Sequence, residues 1–282
     1  MDYTNDILSI RLTVKEFETL SSFIYNEIGI KMPIEKKIML ESRLQKRLRE
    51  LKIYTFKEYI DFLSSPAGKA NELVHMFDVV STNKTDFFRE PQHFDYLINY
   101  VLPEIKENGK VKNIKIWSSA SSSGEEPYTL AMVMSNWCEK NIGYDYSILG
   151  TDISTKVLQM AINATYKEDR VVPVSLEFKK KYLLRHKDNS QKLVKIIPEL
   201  RNRCKFERLN LMDANYDVEG NFDILFCRNV LIYFDRPTQE RVINKLCTKL
   251  KKGGYFFLGH SESILQMNVP LKQMKPTIFV RE

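Results

Sequence analysis

Cysteine and histidine are scarce and scattered along the chain. Cys138, Cys204, Cys227 and Cys247 form no C-x-x-C pair, and His75, His93, His186 and His260 lie equally far apart. Neither a disulfide framework nor a metal site is therefore expected. No apolar run is long enough to span a bilayer, and the opening Met1-Asp-Tyr-Thr-Asn-Asp6 lacks the pattern of a signal peptide. A soluble, cytoplasmic protein without membrane insertion is the expectation. Glycine is also thin, with 10 in 282 residues. No G-x-G-x-x-G occurs, which disfavours a dinucleotide, because a pyrophosphate needs that close approach of the backbone.

Apolar residues make up 43% of the chain, enough to fill two cores at usual domain sizes. The net charge of +7 suits a nucleic acid, an anionic lipid surface or an acidic protein, and composition does not choose among them. Residues 1–78 read as a helical domain. Helical periodicity predicts helices over about 13–28, 34–51, 55–64 and 67–80, with Gly29 and Gly68 at breaks. In the second of these, Ile34, Ile38, Leu40, Leu44, Leu48 and Leu51 share one apolar sector, while Lys36, Arg43, Lys46 and Arg47 share an arc of roughly 100° on the far side. From Lys31 to Lys52 eight Lys or Arg stand against three Glu, so most of the excess charge is local. This stripe is either a docking face for an acidic partner or a solvated helix face.

The segment 79–91, Val79-Val-Ser-Thr-Asn-Lys-Thr-Asp-Phe-Phe-Arg-Glu-Pro91, interrupts the periodicity without the Gly and Ser repeats of a slack linker. It reads equally as a binding loop or a domain seam. A new helix should begin near Pro91 and run through Phe94, Leu97 and Val101.

Beyond it, over 92–282, strands near 113–118, 146–151, 204–209, 222–227, 255–259 and 277–281 alternate with helices near 125–139, 154–164 and 238–250. That order predicts an α/β domain with a mainly parallel sheet, whose ligands bind beyond the carboxyl ends of the strands. The candidates there are the turn Ser118 to Glu126, Asp152, Asn210-Leu211-Met-Asp213, and Arg228-Asn229. Each has a plainer reading. Ser122-x-x-Glu125 and Ser123-x-x-Glu126 are capping-box patterns, and Asp152 can cap the helix beginning near Ser154. Tyr233 can be a core aromatic. The stretch 166–205 is too long for a helix–strand link and reads as an inserted subdomain, with Val171-Val-Pro-Val and Leu193-Val-Lys-Ile-Ile as β-like runs around a helix from Ser175 to Leu184. Its strand edges can receive a peptide, or the insertion can be decorative.

Five motifs accumulate: Ser81-Thr-Asn-Lys-Thr-Asp-Phe-Phe-Arg89, Trp117-Ser-Ser-Ala-Ser-Ser-Ser-Gly-Glu-Glu-Pro-Tyr128, Thr151-Asp-Ile153, Cys227-Arg-Asn-Val-Leu-Ile-Tyr-Phe-Asp235 and Gly259-His-Ser-Glu262. Together they closely resemble the CheR-type chemotaxis receptor methyltransferases, which use S-adenosylmethionine to esterify glutamate side chains of bacterial chemoreceptors. One departure, Ser121-Ser-Ser123 where the family often has Cys or Gly followed by Ser-Thr, is a change among small residues.

The resemblance implies an all-α N-terminal domain followed by a Rossmann-like methyltransferase domain with a small inserted β-subdomain. It implies that Asn83, Thr85 and Arg89 close over the cofactor, that Glu126 lies near its methionine part, and that Asp152 holds the ribose hydroxyls. Asn210 and Leu211 would contact the adenine, and Arg228 and Asn229 would make further cofactor contacts. Arg89 and Tyr233 match the pair that arranges the reacting groups, and no metal is implied. The partner would be the helical bundle of a chemoreceptor, met by Lys36, Arg43, Lys46 and Arg47, with the enzyme a monomer that binds no nucleic acid. Two rivals remain: a nucleic-acid methyltransferase, and a non-catalytic adaptor that senses the cofactor. The first usually carries Asn/Asp-Pro-Pro-Tyr/Phe where this chain has Arg228-Asn229-Val230-Leu231, and intact Arg89, Asp152 and Tyr233 speak against the second.

Overall fold

The computed structural model describes residues 10–109 and 111–282, so Met1 to Asp6 and the opening of the expected domain 1–78 lie outside the described residues. The chain divides into two compact units. One ends at Thr82 and also takes in Tyr233–Asp235; the other comprises Asn83–Ile232 and Arg236–Glu282. The first therefore runs past residue 78, and residues 83–91 of the expected linker belong to the second.

The helical unit holds α1 (Val14–Ile28), α2 (Lys37–Leu51), α3 (Phe56–Ser64) and α4 (Pro66–Val80). Thr13 opens α1 with a reciprocal capping box to Glu16, and Gly29 closes it in the left-handed region. Thr55 and Ser65 cap α3 and α4 through their hydroxyls.

Helix α2 departs from its amphipathic reading. Residues Ile34–Lys36 form a separate 3-10 turn, and Ile34 and Ile38 are 49% and 77% exposed. The inner face is completed by polar groups instead. Glu41 accepts from the Leu12 N–H at 2.7 Å and from Arg11 at 3.0 Å, and Gln45 donates to the Ile10 carbonyl at 2.9 Å. These bonds pin the chain entering α1. The basic stripe is likewise not four free cations. Arg47 grips the buried Glu72 through Nη2 at 2.6 Å and Nε at 2.9 and 3.1 Å, and Arg43 donates to the Val80 carbonyl at the end of α4 at 2.7 Å. Lys36 is half-buried and Lys46 exposed. Two of the four charges are thus spent inside the unit, because the far side of α2 packs on α4 rather than facing water.

The second unit begins with the segment 83–91 and then α5 (Gln92–Tyr96), a π-helical turn over Leu97–Val101 and α6 (Leu102–Asn108). Pro103 has no N–H, and its ring clashes with the carbonyl four residues back in a regular helix, which accounts for the widened turn before it. There follow β1 (Asn113–Ser118), α7 (Glu125–Lys140), β2 (Asp145–Asp152), α8 (Thr155–Asn163), β3 (Thr165–Lys167), α9 (Leu176–Tyr182), β4 (Leu183–Arg185), β5 (Leu193–Ile196), α10 (Pro198–Arg201), β6 (Cys204–Arg208), β7 (Phe222–Cys227), α11 (Arg236–Lys249), β8 (Leu250–Leu258), β9 (Leu271–Lys275) and β10 (Ile278–Arg281). The main sheet has the order β6-β2-β1-β7-β8-β10-β9. Its first five strands pair in parallel, and β10 joins β8 and β9 antiparallel. Strand β7, Phe222-Asp-Ile-Leu-Phe-Cys227, is buried at every position, as a central parallel strand requires.

The insertion forms a three-stranded antiparallel sheet of order β3-β5-β4. Leu193–Ile196 is a strand in it, whereas Val171–Val174 is not. That run leaves the 3-10 turn Glu168–Val171 as an irregular turn in which Val171 and Val174 drop into the core. Strands β3, β4 and β9 had no apolar alternation to announce them. Among the described residues, no helix is long and apolar enough to cross a membrane.

Candidate active site

The adjacent strands β6, β2, β1 and β7 end on one edge of the sheet, and their exits carry the residues singled out from the sequence. The turn after β1 is stitched to both neighbouring strands. The Ser119 N–H donates to the Phe226 carbonyl at 2.8 Å, the Ser121 N–H to the Thr151 carbonyl at 2.8 Å, and the Ser122 N–H to Asp152 Oδ2 at 2.9 Å. Trp117 Nε1 donates to Thr151 Oγ1 beneath it.

Helix α7 is not opened by a capping box. Its N-cap is Gly124 at φ 95°, with no side-chain cap. A Cβ there would sit 2.9 Å from both Ala161 Cβ and the Tyr166 hydroxyl, so the position needs glycine for conformation and for space. The two glutamates are thereby released for other work. Glu125 is buried, accepting from Ser123 Oγ at 2.7 Å and from Arg170 Nη2 at 2.6 Å. Glu126 accepts from Ser118 Oγ at 2.7 Å and from Arg228 Nη1 at 2.9 Å.

Asp152 braces the turn and also accepts from the Ser154 N–H at 3.0 Å, while Ser154 itself caps α8. Asp152 is half-exposed. Beyond β6, Asn210 Oδ1 accepts from the Met212 N–H at 3.0 Å, and the Leu211 carbonyl accepts from the Tyr216 hydroxyl and Lys245, both at 2.8 Å.

The segment 83–91 folds onto this edge. The Asn83 carbonyl accepts from Ser122 Oγ at 3.3 Å, and the Thr85 carbonyl from Arg170 Nη2 at 2.6 Å. Phe87 is buried edge-on against Tyr166, and the Phe88 N–H donates to Thr129 Oγ1 at 3.1 Å. Arg89 is half-exposed, donating to the Lys84 carbonyl at 2.9 Å. Phe88, Glu90, Ser122 and Asn229 all have φ between 47° and 59°. Non-glycine residues in that region cost of order 1–3 kcal/mol each and persist where the surroundings over-determine them.

Arg228 does that over-determining. Its buried guanidinium gives Nη1 to Glu126 at 2.9 Å, and Nη2 to the Arg89 carbonyl at 2.6 Å and to Glu90 at 2.9 Å. Both terminal nitrogens bond to protein groups, so Arg228 braces the site. Asn229 Nδ2 reaches Glu90 Oε1 at 3.2 Å.

Glu90 carried no signal in the sequence beyond its place next to Arg89, yet it is the hub of this network. Burial raises its pKa, but the Arg228 charge, the Asn229 amide and the His260 N–H outweigh burial and hold the carboxyl at about 2. Burial and the same Arg228 charge push His93 down to about 3.

Glu262 was likewise visible only as part of a motif. Its carboxylate accepts the backbone N–H groups of Gly259, Asn229, Val230 and Leu231 at 2.7 to 3.0 Å. Burial lifts its pKa above the usual range against the pull of these four donors. Glu262→Gln turns an amide nitrogen towards one of the two N–H pairs. About 1–3 kcal/mol of stability should be lost for each donor orphaned. Urea denaturation checks this, and an unchanged midpoint would mean the carboxylate does not hold the loop.

Tyr233 is grouped differently from the other site residues. It closes a 3-10 turn Leu231–Tyr233 and belongs with the helical unit, where the Lys31 N–H donates to its carbonyl at 3.0 Å and the Tyr25 hydroxyl to Asp235 at 2.5 Å.

The donor set fits an amino-acid-bearing nucleoside. Carboxylates at Glu126 and Asp152 suit an ammonium group and a pair of ribose hydroxyls, Asn210 offers an amide, and the buried Ser121 hydroxyl has no partner of its own.

Residues 15–81 match the CheR methyltransferase, all-alpha domain, and residues 83–280 match the CheR methyltransferase, SAM binding domain. The chain is 40% identical over 276 residues to a chemotaxis protein methyltransferase of Borreliella burgdorferi, covering 96% of each chain. It is 36% identical over 260 residues to that of Klebsiella aerogenes, covering 91% of this chain and 86% of the relative. The corresponding Escherichia coli protein is 34% identical over 254 residues, covering 90% and 86%. With the turn, the acid after β2 and the Arg228 network all lying within residues 83–280, the chain belongs to the CheR methyltransferase family and its methyl donor is S-adenosylmethionine.

Proposed function

We propose that the protein methylates glutamate side chains in the cytoplasmic helical bundle of chemoreceptors, forming glutamate methyl esters in the adaptation step of chemotaxis. The observation that carries this reading is the reach of Arg228, which binds Glu126 and the Arg89 carbonyl through one guanidinium. It anchors the main chain of a cationic residue beside the acid expected at the methionine end of the cofactor. A carboxylate substrate is the natural complement of that cation.

Bound S-adenosylmethionine supplies a sulfonium methyl group. A glutamate side chain, with a pKa of about 4.3 when unperturbed, is already ionised at neutral pH and needs no general base. The residues' task is therefore orientation: holding two reactants in line can supply roughly 7–11 kcal/mol of the barrier. Arg89 and Tyr233 orient the carboxylate, and Asn83 and Thr85 close the linker over the donor. Asp152, Asn210, Leu211 and Asn229 seat the nucleoside. Of the four residues Lys36, Arg43, Lys46 and Arg47, Lys46 is the exposed one, and with the half-buried Lys36 it serves charge steering towards an acidic receptor bundle.

The test is transfer of labelled methyl to receptor fragments, scored as base-labile ester, with nucleic acid as a parallel substrate. Arg89→Ala and Tyr233→Phe should each lower turnover by about 10²-fold while changing cofactor affinity far less. Near-normal turnover in both variants removes them from the reaction, and label on nucleic acid overturns the substrate.

A further inference from the structure

We propose that Glu90, His93 and His260 form a binding site for a divalent transition-metal ion of the zinc type, with a fourth position left to water. Their scatter along the chain gave no metal pattern; the fold brings them together. One ligand atom from each lies within 4.8 Å of the other two. His93 Nδ1 is 3.6 Å and His260 Nε2 3.8 Å from the same oxygen, Glu90 Oε2. Ligands bound tetrahedrally at about 2.0–2.1 Å from zinc lie about 3.3 Å apart, so the two histidine nitrogens have to close on Glu90 by up to about half an ångström and on each other from a separation of no more than 4.8 Å.

The buried histidine is prepared for this role. His93 Nε2 lies 2.9 Å from Thr277 Oγ1, and that hydroxyl directs its own hydrogen to the Pro276 carbonyl at 2.7 Å. The threonine oxygen must therefore accept, which places the imidazole proton on Nε2 and leaves the lone pair on Nδ1. Nδ1 is buried without a hydrogen-bond partner, on a side chain only 2% exposed. A bare nitrogen lone pair aimed at a carboxylate is costly unless something stands between them, and a cation answers both. Fixing the tautomer through the far nitrogen is also how metal-binding imidazoles are held. His260, with a 50% exposed side chain, gives the ion its access and its open position. An imidazole pair with one carboxylate and water matches the donor preferences of zinc rather than magnesium or calcium.

The site couples to the methyltransferase centre through one atom. Glu90 Oε2 is also the acceptor for Arg228 Nη2 at 2.9 Å, and a metal bound there competes with the guanidinium. Filling the site therefore loosens the tie between Arg228 and the linker while fastening the linker to the turn after β8.

The experiment uses the full chain, freed of metal by chelation and titrated with Zn²⁺ in equilibrium dialysis and with Co²⁺ in absorption. One ion per chain is expected, with a Co²⁺ spectrum of nitrogen and oxygen ligands. His260→Ala, at an exposed position, should weaken binding at least tenfold. Thr277→Val should weaken it about 10–100-fold through the lost bond to His93 Nε2, with Thr277→Ser restoring it. Unchanged affinity in His260→Ala, or a thiolate charge-transfer band from one of the cysteines, overturns the assignment. These outcomes do not depend on which substrate is methylated.

Discussion

Arg228→Met is expected to cost about 3–5 kcal/mol of stability, the range for removing one partner from a buried ion pair. The guanidinium is enclosed among Glu126, Glu90 and the Arg89 carbonyl, and its side chain is 2% exposed. Its loss leaves two carboxylates and a carbonyl that water reaches poorly. Arg228→Lys should recover only part of the loss, because a single ammonium cannot reach three acceptors arranged for a planar fork. Adding Glu90→Gln to Arg228→Met should be less damaging than the sum of the separate effects, since the second change removes a charge the first leaves unpaired. Denaturant unfolding measures all of these, and a loss below about 1 kcal/mol for Arg228→Met would mean that solvent enters the network freely.

Arg47→Met should be comparably severe in the helical unit, at about 3–5 kcal/mol. Glu72 has a 2% exposed side chain and accepts from Arg47 and the Tyr59 hydroxyl. Burial and the neighbouring Glu72 charge push the Tyr59 hydroxyl well above its ordinary pKa, so it stays a donor and cannot neutralise the acid. Arg47→Met with Glu72→Leu should restore much of the stability, because an apolar pair can replace a buried ionic one. The same measurement guards any study of receptor docking: reversing the charge at Arg47 breaks the fold of α2 on α4, whereas Lys46→Glu tests steering alone.

What was legible in the sequence follows from how local its cause is. Helices α1, α3 and α4 announced themselves through periodicity within a few turns, and β1, β2 and β7 through short apolar runs. The turn after β1 and Asp152 were placed correctly at the sheet edge, because a parallel sheet sends all its carboxyl ends one way. Three kinds of feature were not legible. Ser122 and Ser123 mimicked capping boxes, but the positive φ of Gly124 diverted Glu125 and Glu126 to Arg170 and Arg228. Strand β9 is polar and exposed along nearly its whole length, so no alternation marked it. The hub at Glu90 depends on partners 138 and 139 residues away, a separation at which only the fold decides who meets whom. The family resemblance supplied Arg89, Asp152, Tyr233 and Arg228, and the bracing of Arg228 against Glu90, Glu126 and the Arg89 carbonyl emerges only from the fold.

The assignment of Tyr233–Asp235 to the helical unit bears on how this protein can be recombined. A chimaera that exchanges residues before 83 for those of a relative replaces Tyr25 and Lys31, which bond to Asp235 and the Tyr233 carbonyl, but leaves those partners behind. The unit of exchange is therefore discontinuous. A grafted helical domain keeps its Tyr25 and Lys31 bonds only when the short segment after β7 travels with it, and the residue proposed to orient the substrate travels too.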